Sequence, residues 1–388
     1  MSNTIILKSS RIVIPNGTTD GYLIIKGEKI SKITESLFHE EGGSEIIDLA
    51  DNFVIPGFLD LHIHGAGGHE VMKGREDVHA MAKILAENGT TSFYATTSSV
   101  GKEDLILSIR EIKKAIETHN RETGAEIIGI HLEGPFLSIE KKGAMSPQFL
   151  LKSSLETMKE FEYACGEYLK RVTIAPEIPG ALDLIDYLFN KGYLVAGGHT
   201  AATYEETMEG IRHGVSIANH MFNAMQGLHH RNPGAAGAYL ISDDVTCEII
   251  GDFIHVHPAV VKIVFRCKGL NKVYLISDAV FAAGLEPGDY ESAGRKITVD
   301  KNRVSRLPDG TLAGSTFLIK DAFKNIVENI GLSVEEAVKL TAVNPAKIAG
   351  IYERKGSLET GKDADITVLD KKYQVKYCFV KGIIHKQP

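Results

Sequence analysis

Several short stretches of this chain end in a residue able to bind a metal ion or move a proton. Ile130-His131-Leu132-Glu133 is an apolar run that closes on a carboxylate before a Gly134-Pro135 break. A parallel barrel presents its catalytic groups at the C-terminal ends of strands, and an apolar run, a polar tip and an abrupt turn fit that role. A strand that simply reaches the surface ends the same way, so Glu133 alone does not separate the two readings. Other stretches repeat the pattern. His62 and His64 stand two apart and project to one side of a strand. Two neutral imidazoles at that spacing form a natural ligand pair for a divalent ion, and a glycine-rich loop (Gly65, Gly67, Gly68) follows them. His199 follows Val195-Ala196-Gly197-Gly198, and His220 follows Ala218-Asn219. Glu133, His199 and His220 together supply three ligands and leave a coordination position open, as catalytic metal sites do. Asp278 closes Leu275-Ile276-Ser277. A carboxylate there could take a proton from water and later deliver it to a leaving amine; its plainer use is a helix N-cap.

Groups at strand ends need strands to carry them. From residue 54 the sequence alternates strand, loop and helix, with strands expected at 54–61, 92–96, 127–132, 172–175, 194–197, 217–219, 247–251 and 272–277. Helices are expected at 76–87, 102–119, 181–190, 203–213 and 258–268. Thr203 with Glu206, and Ser333 with Glu336, have the spacing of a capping box. Eight such units imply a (β/α)8 barrel of the TIM type. Residues 289–312 read as a hairpin inserted after the eighth strand. Both ends of the chain instead show short strands separated by turn residues. The expected organisation is therefore α/β, with a barrel over 54–350 and a small β-sandwich domain built from 1–53 and 351–388.

At 388 residues the chain has room for one barrel of ~250 residues and a smaller module. A net charge of -7 argues against a nucleic-acid partner. Residues 1–17 lack a basic segment followed by a long apolar core, so no secretory signal is expected. No run approaches the ~20 apolar residues that span a bilayer, so no membrane partner is expected either. Cys165, Cys247, Cys267 and Cys378 show no CxxC spacing, which fits reduced thiols in a cytoplasm. A metal must then be held by histidine and carboxylate, a donor set that suits Zn, Fe, Mn or Co.

Taken in order, PGFLDLHIHG, HLEGPF, GGHT, NHMFNAM, DFIHVHP, ISDA and GTLAGS resemble the N-acetylglucosamine-6-phosphate deacetylases of the amidohydrolase superfamily. The similarity runs from residue 55 to residue 345. It implies metal-dependent hydrolysis of the acetamide of N-acetylglucosamine 6-phosphate, in amino-sugar catabolism or recycling. It implies that Glu133, His199 and His220 bind the catalytic metal, that Asp278 is general base and acid, and that His255 polarises the acetamide carbonyl. Asn223 and Ala224 would touch the sugar phosphate, and Leu312, Ala313 and Gly314 would close over the substrate. Ala144 belongs to a further substrate-binding stretch. Arg231 is similar to a phosphate-binding arginine, although its own surroundings, Leu228-His229-His230-Arg231-Asn232, equally suit a solvated loop. An arginine of that kind reaching a neighbour's site implies a homodimer.

Relatives that keep both histidines of the first strand resemble binuclear enzymes. One or two divalent metals per chain are thus implied, two being the expectation here, with Glu133 as the bridge. The superfamily's commoner bridge, a carboxylated lysine on the fourth strand, has no counterpart in Val172-Thr173-Ile174-Ala175-Pro176-Glu177. Met145 stands where many relatives place a histidine that reaches the sugar, and Phe253 where the usual motif has glycine. Both departures bear on sugar preference. They leave N-acetylgalactosamine 6-phosphate as an alternative, or the substrate of another amidohydrolase such as a cyclic-amide or D-amino-acid deacylase. A non-catalytic barrel relative is the alternative from another class; it should have lost ligands or the base, which this chain keeps.

Overall fold

The computed structural model describes residues 4–37, 44–292 and 295–388. Eight parallel strands form the barrel. They are β1 (Phe58–Ile63), β2 (Thr90–Thr97), β3 (Glu126–Glu133), β4 (Leu169–Ile174), β5 (Leu194–Gly197), β6 (Val215–Ala218), β7 (Thr246–Ile250) and β8 (Val273–Ile276). Each pairs with its neighbour in sequence. Most of their residues are buried, and every residue of β1, β2 and β8 is, because helices cover the outside of the ring. The ring closes beyond the end of β8. Asp278 N donates to His62 O at 2.9 Å, and His64 N donates to Ala279 O at 2.9 Å. The closure therefore brings His62, His64 and Asp278 side by side.

The helices follow the expected logic. In α1 (Lys102–Thr118) the buried residues are Leu105, Ile106, Ile109, Ile112 and Ala115, one stripe at helical spacing. The capping boxes of Thr203 with Glu206 and of Ser333 with Glu336 both form; a cap of this kind stabilises by about 1 kcal/mol. The helix Gly234–Ile241 has no such stripe to read. Seven of its eight residues, all but the last, are buried, so its sequence GAAGAYLI carries no period. The insertion after β8 is a three-stranded antiparallel sheet, Gly288–Ser292, Arg295–Val299 and Ser305–Arg306.

Two strands differ from expectation. The run at 54–61 is two elements: Phe53–Pro56 belongs to the terminal sheet and β1 starts at Phe58. The break falls at Gly57, whose N–H donates to Asp365 O at 2.9 Å. A Cβ there would lie 2.2 Å from the Thr91 side chain, so only glycine lets the chain pass. The fourth strand begins at Leu169 rather than 172, because Arg171, a charge that breaks the apolar pattern, points into the barrel and is fully buried.

Both termini build one mixed eight-stranded sheet beside the barrel. A bulge between Ser9 and Ile12 lets the first strand pair with 45–48 and then with 53–54. Leu7, Leu23, Ile25, Val54, Ile366 and Phe379 share its core. Buried charges join the sheet to the barrel: the Lys355 ammonium meets Glu126 of β3 at 2.9 Å and also pairs with Asp365. Among the described residues no helix is long and apolar enough to cross a membrane, and all four cysteines are free.

Candidate active site

Three of the candidate site residues sit on strained backbone just past a strand. His199 follows β5 at φ +46°, His220 follows β6 at φ +25°, and Asp278 follows β8 at φ +48°. A non-glycine residue held there costs about 1–3 kcal/mol and persists only where neighbours fix it. Those neighbours are present. His199 O accepts from Ser138 N at 2.9 Å, and Asp278 O accepts from Ser315 N at 2.9 Å. His220 N donates to Glu248 Oε1 at 2.6 Å.

Two ligand sets meet at Glu133. In the first, His220 Nε2 lies 3.0 Å from Glu133 Oε1 and 3.1 Å from His199 Nε2. In the second, His62 Nε2 lies 3.3 Å from Glu133 Oε1 and 3.5 Å from Asp278 Oδ1. His64 Nε2 lies 3.2 Å from Glu133 Oε2 and 3.3 Å from Asp278 Oδ1. Glu133, His199 and His220 form one group able to hold a metal, and His62, His64 and Asp278 form another.

The outward ring nitrogens settle the tautomers. His199 Nδ1 donates to Lys141 O at 2.9 Å, His64 Nδ1 to Thr96 O at 3.1 Å, and His62 Nδ1 to Glu248 Oε1 at 2.9 Å. A neutral ring that donates from Nδ1 carries a lone pair on Nε2. Lone pairs of three rings thus point at the oxygens of two carboxylates, an arrangement that calls for cations between them. His62 Nε2 is fully buried and has no hydrogen-bond partner among the described residues. The donor set fits a divalent ion.

The same carboxylates draw positive charge onto the rings themselves, and a bound cation would take the place of those protons. Burial disfavours charge on His64, but hydrogen bonds to Asp278 and Glu133 outweigh it and lift its pKa to about 9. Burial works against His62 too, yet Glu133, Glu248 and Asp278 raise it well above its ordinary value. The carboxylates move the other way: burial would raise them, but the charge of His62 dominates and holds Glu133 and Asp278 low. The cleft is a sink for positive charge.

A cavity of about 340 Å³ opens over these groups. His64, Glu133, His199, His220 and Asp278 line it. So do His255, Ala144, Asn223, Ala224, Leu312, Ala313 and Gly314. His62 lies behind this wall, fully buried. Met145 lines the cavity, whereas Phe253 packs on the barrel core at φ +62°. The Phe253 departure therefore strains the backbone without shaping the cavity wall. Arg231 is exposed, its Nη1 donating to His230 Nε2 at 2.7 Å, and is not brought to the cavity within this chain.

Residues 53–384 match the amidohydrolase family. The chain belongs to that family. Amidohydrolases are typically metal-dependent, which accords with the two ligand sets. The chain is similar to the N-acetylglucosamine-6-phosphate deacetylase of Bacillus subtilis (strain 168), 36% identical over 99% of this chain and 98% of the relative. It is also similar to the N-acetylgalactosamine-6-phosphate deacetylase of Escherichia coli O157:H7, 30% identical over 98% of each. Its fold is similar to a variant of the Mycobacterium smegmatis N-acetyl-D-glucosamine-6-phosphate deacetylase solved with N-acetyl-D-glucosamine-6-phosphate. That match has a TM-score of 0.91 and 30% identity, covering 99% of this chain and 100% of the other.

This amidohydrolase also has site residues that its sequence did not announce. Asp252 takes His255 Nδ1–H at 2.7 Å and Ser315 Oγ–H at 2.9 Å, tying His255 to the segment that includes Gly314. Asp60 accepts from His62 N at 3.3 Å and Ser277 N at 3.2 Å, and burial pushes its pKa up to about 6. Beneath the ligands, Arg171 Nη1 donates to Glu248 Oε2 at 2.6 Å. Asn219 Nδ2 donates to Glu133 Oε1 at 2.9 Å. The signal that could have found two of them is a charge inside an apolar strand, at Arg171 of β4 and Glu248 of β7. His131 reads differently: it is wedged between Thr173 Oγ1 at 2.7 Å and Thr96 Oγ1 at 3.3 Å, a satisfied barrel filler.

Proposed function

We propose that this chain hydrolyses the acetamide of N-acetylglucosamine 6-phosphate to glucosamine 6-phosphate and acetate, a step of amino-sugar breakdown. The observation that carries the reading is the meeting of Glu133, His199 and His220 with Asp278 on one wall of the cavity. A divalent cation held there supplies Lewis acidity, which makes water a competent nucleophile near neutral pH and polarises an amide carbonyl. Glu133, His199 and His220 would hold one cation and His62, His64 and Asp278 a second, and Glu133, 3.3 Å from His62 Nε2 and 3.2 Å from His64 Nε2, would be the residue common to both. Histidine and carboxylate donors suit Zn, Fe, Mn or Co.

The chain's own groups do the rest. Positive charge beside it, from protons on His62 and His64 or from the cation that would replace them, holds Asp278 below its ordinary pKa although burial would raise it, so the carboxylate can take the proton of the attacking water. The same carboxyl then protonates the departing amine. His255 gives its Nδ1–H to Asp252, which leaves Nε2 for the cavity. An N–H there can hold the developing oxyanion, a contact worth ~3–4 kcal/mol for a single donor. Asn223 and Ala224 line the sugar-phosphate side, and Ala144 and Leu312-Ala313-Gly314 close around the substrate.

Among the described residues, none that lines the cavity is arginine or lysine. A phosphate calls for such a charge. We read Arg231 as supplied by a second copy, so that the working form is a homodimer. The free cysteines support a reducing, cytoplasmic setting. We also divide the chain as barrel 54–350 and terminal module 1–53 with 351–388. Met145 on the cavity wall favours one second reading, the galacto epimer. Acetate release measured on both phosphorylated sugars decides: the gluco sugar should be turned over faster, and a clear preference for the galacto sugar would replace this assignment.

A further inference from the structure

The barrel interior buries an ion pair that the chemistry above does not use. Arg171 and Glu248 are both fully buried, on β4 and β7, with the hydroxyl of Tyr274 of β8 against both. Taking two charges out of water is costly, and an apolar pair of similar volume is often no worse for stability. A function that needs those charges in place accounts for the expense.

Their hydrogen bonds show what they hold. Glu248 Oε2 accepts from Arg171 Nη1 at 2.6 Å and from the Tyr274 hydroxyl at 2.8 Å. That leaves Oε1 facing the metal ligands. It accepts from His62 Nδ1 at 2.9 Å and from the backbone N–H of His220 at 2.6 Å. One oxygen thus grips a ligand from each of the two sets. The other arm of Arg171, Nη2, donates to Asn219 Oδ1 in a short hydrogen bond, and Asn219 Nδ2 donates to Glu133 Oε1 at 2.9 Å. Asn219 has its amide fixed from both sides.

We propose that Glu248, oriented by Arg171, is the positioning residue that makes His62 a ligand and so decides whether the second cation is held. The proposal rests on the two-cation reading above. An ionised carboxylate only accepts, so it fixes His62 with the proton on Nδ1 and the lone pair on Nε2, toward Glu133 and Asp278. Glu248→Gln keeps the shape and reverses this. Arg171 and Tyr274 both donate at the Oε2 position and draw the amide oxygen there. The NH2 group then faces His62 Nδ1, where it donates and favours the proton on Nε2. A ring protonated on Nε2 cannot bind a metal through that atom. The same NH2 takes away the acceptor of the His220 N–H, but the His220 ring still meets Glu133 at 3.0 Å and His199 Nδ1 keeps Lys141 O, so the first set loses less affinity than the second and keeps its cation.

The test is equilibrium dialysis of the full chain against Mn(II), with EPR on the same samples. Wild-type protein should hold two Mn(II) per chain and show the broadened spectrum of a coupled pair. Glu248→Gln should hold one tightly, weaken the second by about 10–100-fold, and show the sharper spectrum of an isolated ion. A general loss of structure would not remove one ion selectively. Glu248→Asp keeps the charge that Arg171 needs and withdraws the oxygen by one methylene. It should weaken the same second ion, and it decides in the same way if the Gln variant does not fold. Two ions bound at wild-type affinity in a folded variant overturns the proposal. A single ion in the wild type overturns the two-cation reading and this inference with it, and that result is seen before any variant is made.

Discussion

At the scale of single residues, Asp252 and His255 make a pH-dependent unit. Burial disfavours a charged imidazole, but the hydrogen bond and charge of Asp252, with Asp278 behind it and Arg306 opposing, keep the His255 pKa above its ordinary value. With Nδ1–H committed to Asp252, only the doubly protonated ring has an Nε2–H to offer the substrate. Activity that needs this proton is full below the His255 pKa and falls as pH rises through it. Asp252→Asn removes the charge that raises the pKa, so the alkaline fall of kcat/KM should move to lower pH. A fall that stays where it was in the wild type would show that His255 does not act through a proton on Nε2. His62, His64, Glu133, His199, His220 and Asp278 were all legible in the sequence, because each stands at the polar tip of an apolar run. Glu248 and Arg171 were not. They are charges on the inner face of strands, where a reading tuned to apolar runs treats them as interruptions or edges.

At the scale of elements, the site depends on how each strand stops. His199, His220 and Asp278 all take a left-handed backbone immediately after a strand, and none of these turns is written in a glycine. Sequence patterns place the strand ends well, but not the turn that aims the side chain inward, since the stabilising bonds come from distant segments. Gly314 illustrates the dependence. Its φ is +81°, and a Cβ there would lie 2.7 Å from Val280 Cγ1 and 3.0 Å from the carbonyl oxygen of Asp278. Gly314→Ala should therefore push the segment away from Asp278, costing about 1–3 kcal/mol in strain and lowering kcat at unchanged metal content. Unchanged kcat would mean that this segment does not help to set Asp278. The helix Gly234–Ile241 was hidden for the opposite reason: burial along nearly its whole length erases the amphipathic period.

At the scale of the whole molecule, the barrel closes where the chemistry is, and the terminal sheet braces the far side of the same core. Val13, Ile55, Leu369, Cys378 and Val380 of that sheet pack within the barrel's own main cluster. The repeating strand–helix order made the barrel readable, but the break at Gly57 depends on a close approach to Thr91 and was not. Arg231 belongs to this scale, because it is exposed on a single chain and the proposed homodimer would bring it to a second copy's cavity. If it does, co-expressing Arg231→Ala with Asp278→Asn chains creates mixed dimers with one intact site. Assayed at low substrate, such a mixture should regain activity that neither variant shows alone, whereas no recovery would place the phosphate contact elsewhere. The most direct test of the whole account is Asp278→Asn, with the bound metal counted before acetate release is measured. The variant should keep the ion held by Glu133, His199 and His220 and lose turnover by about 10²–10⁴-fold. Near-normal turnover with that ion in place would contradict the account.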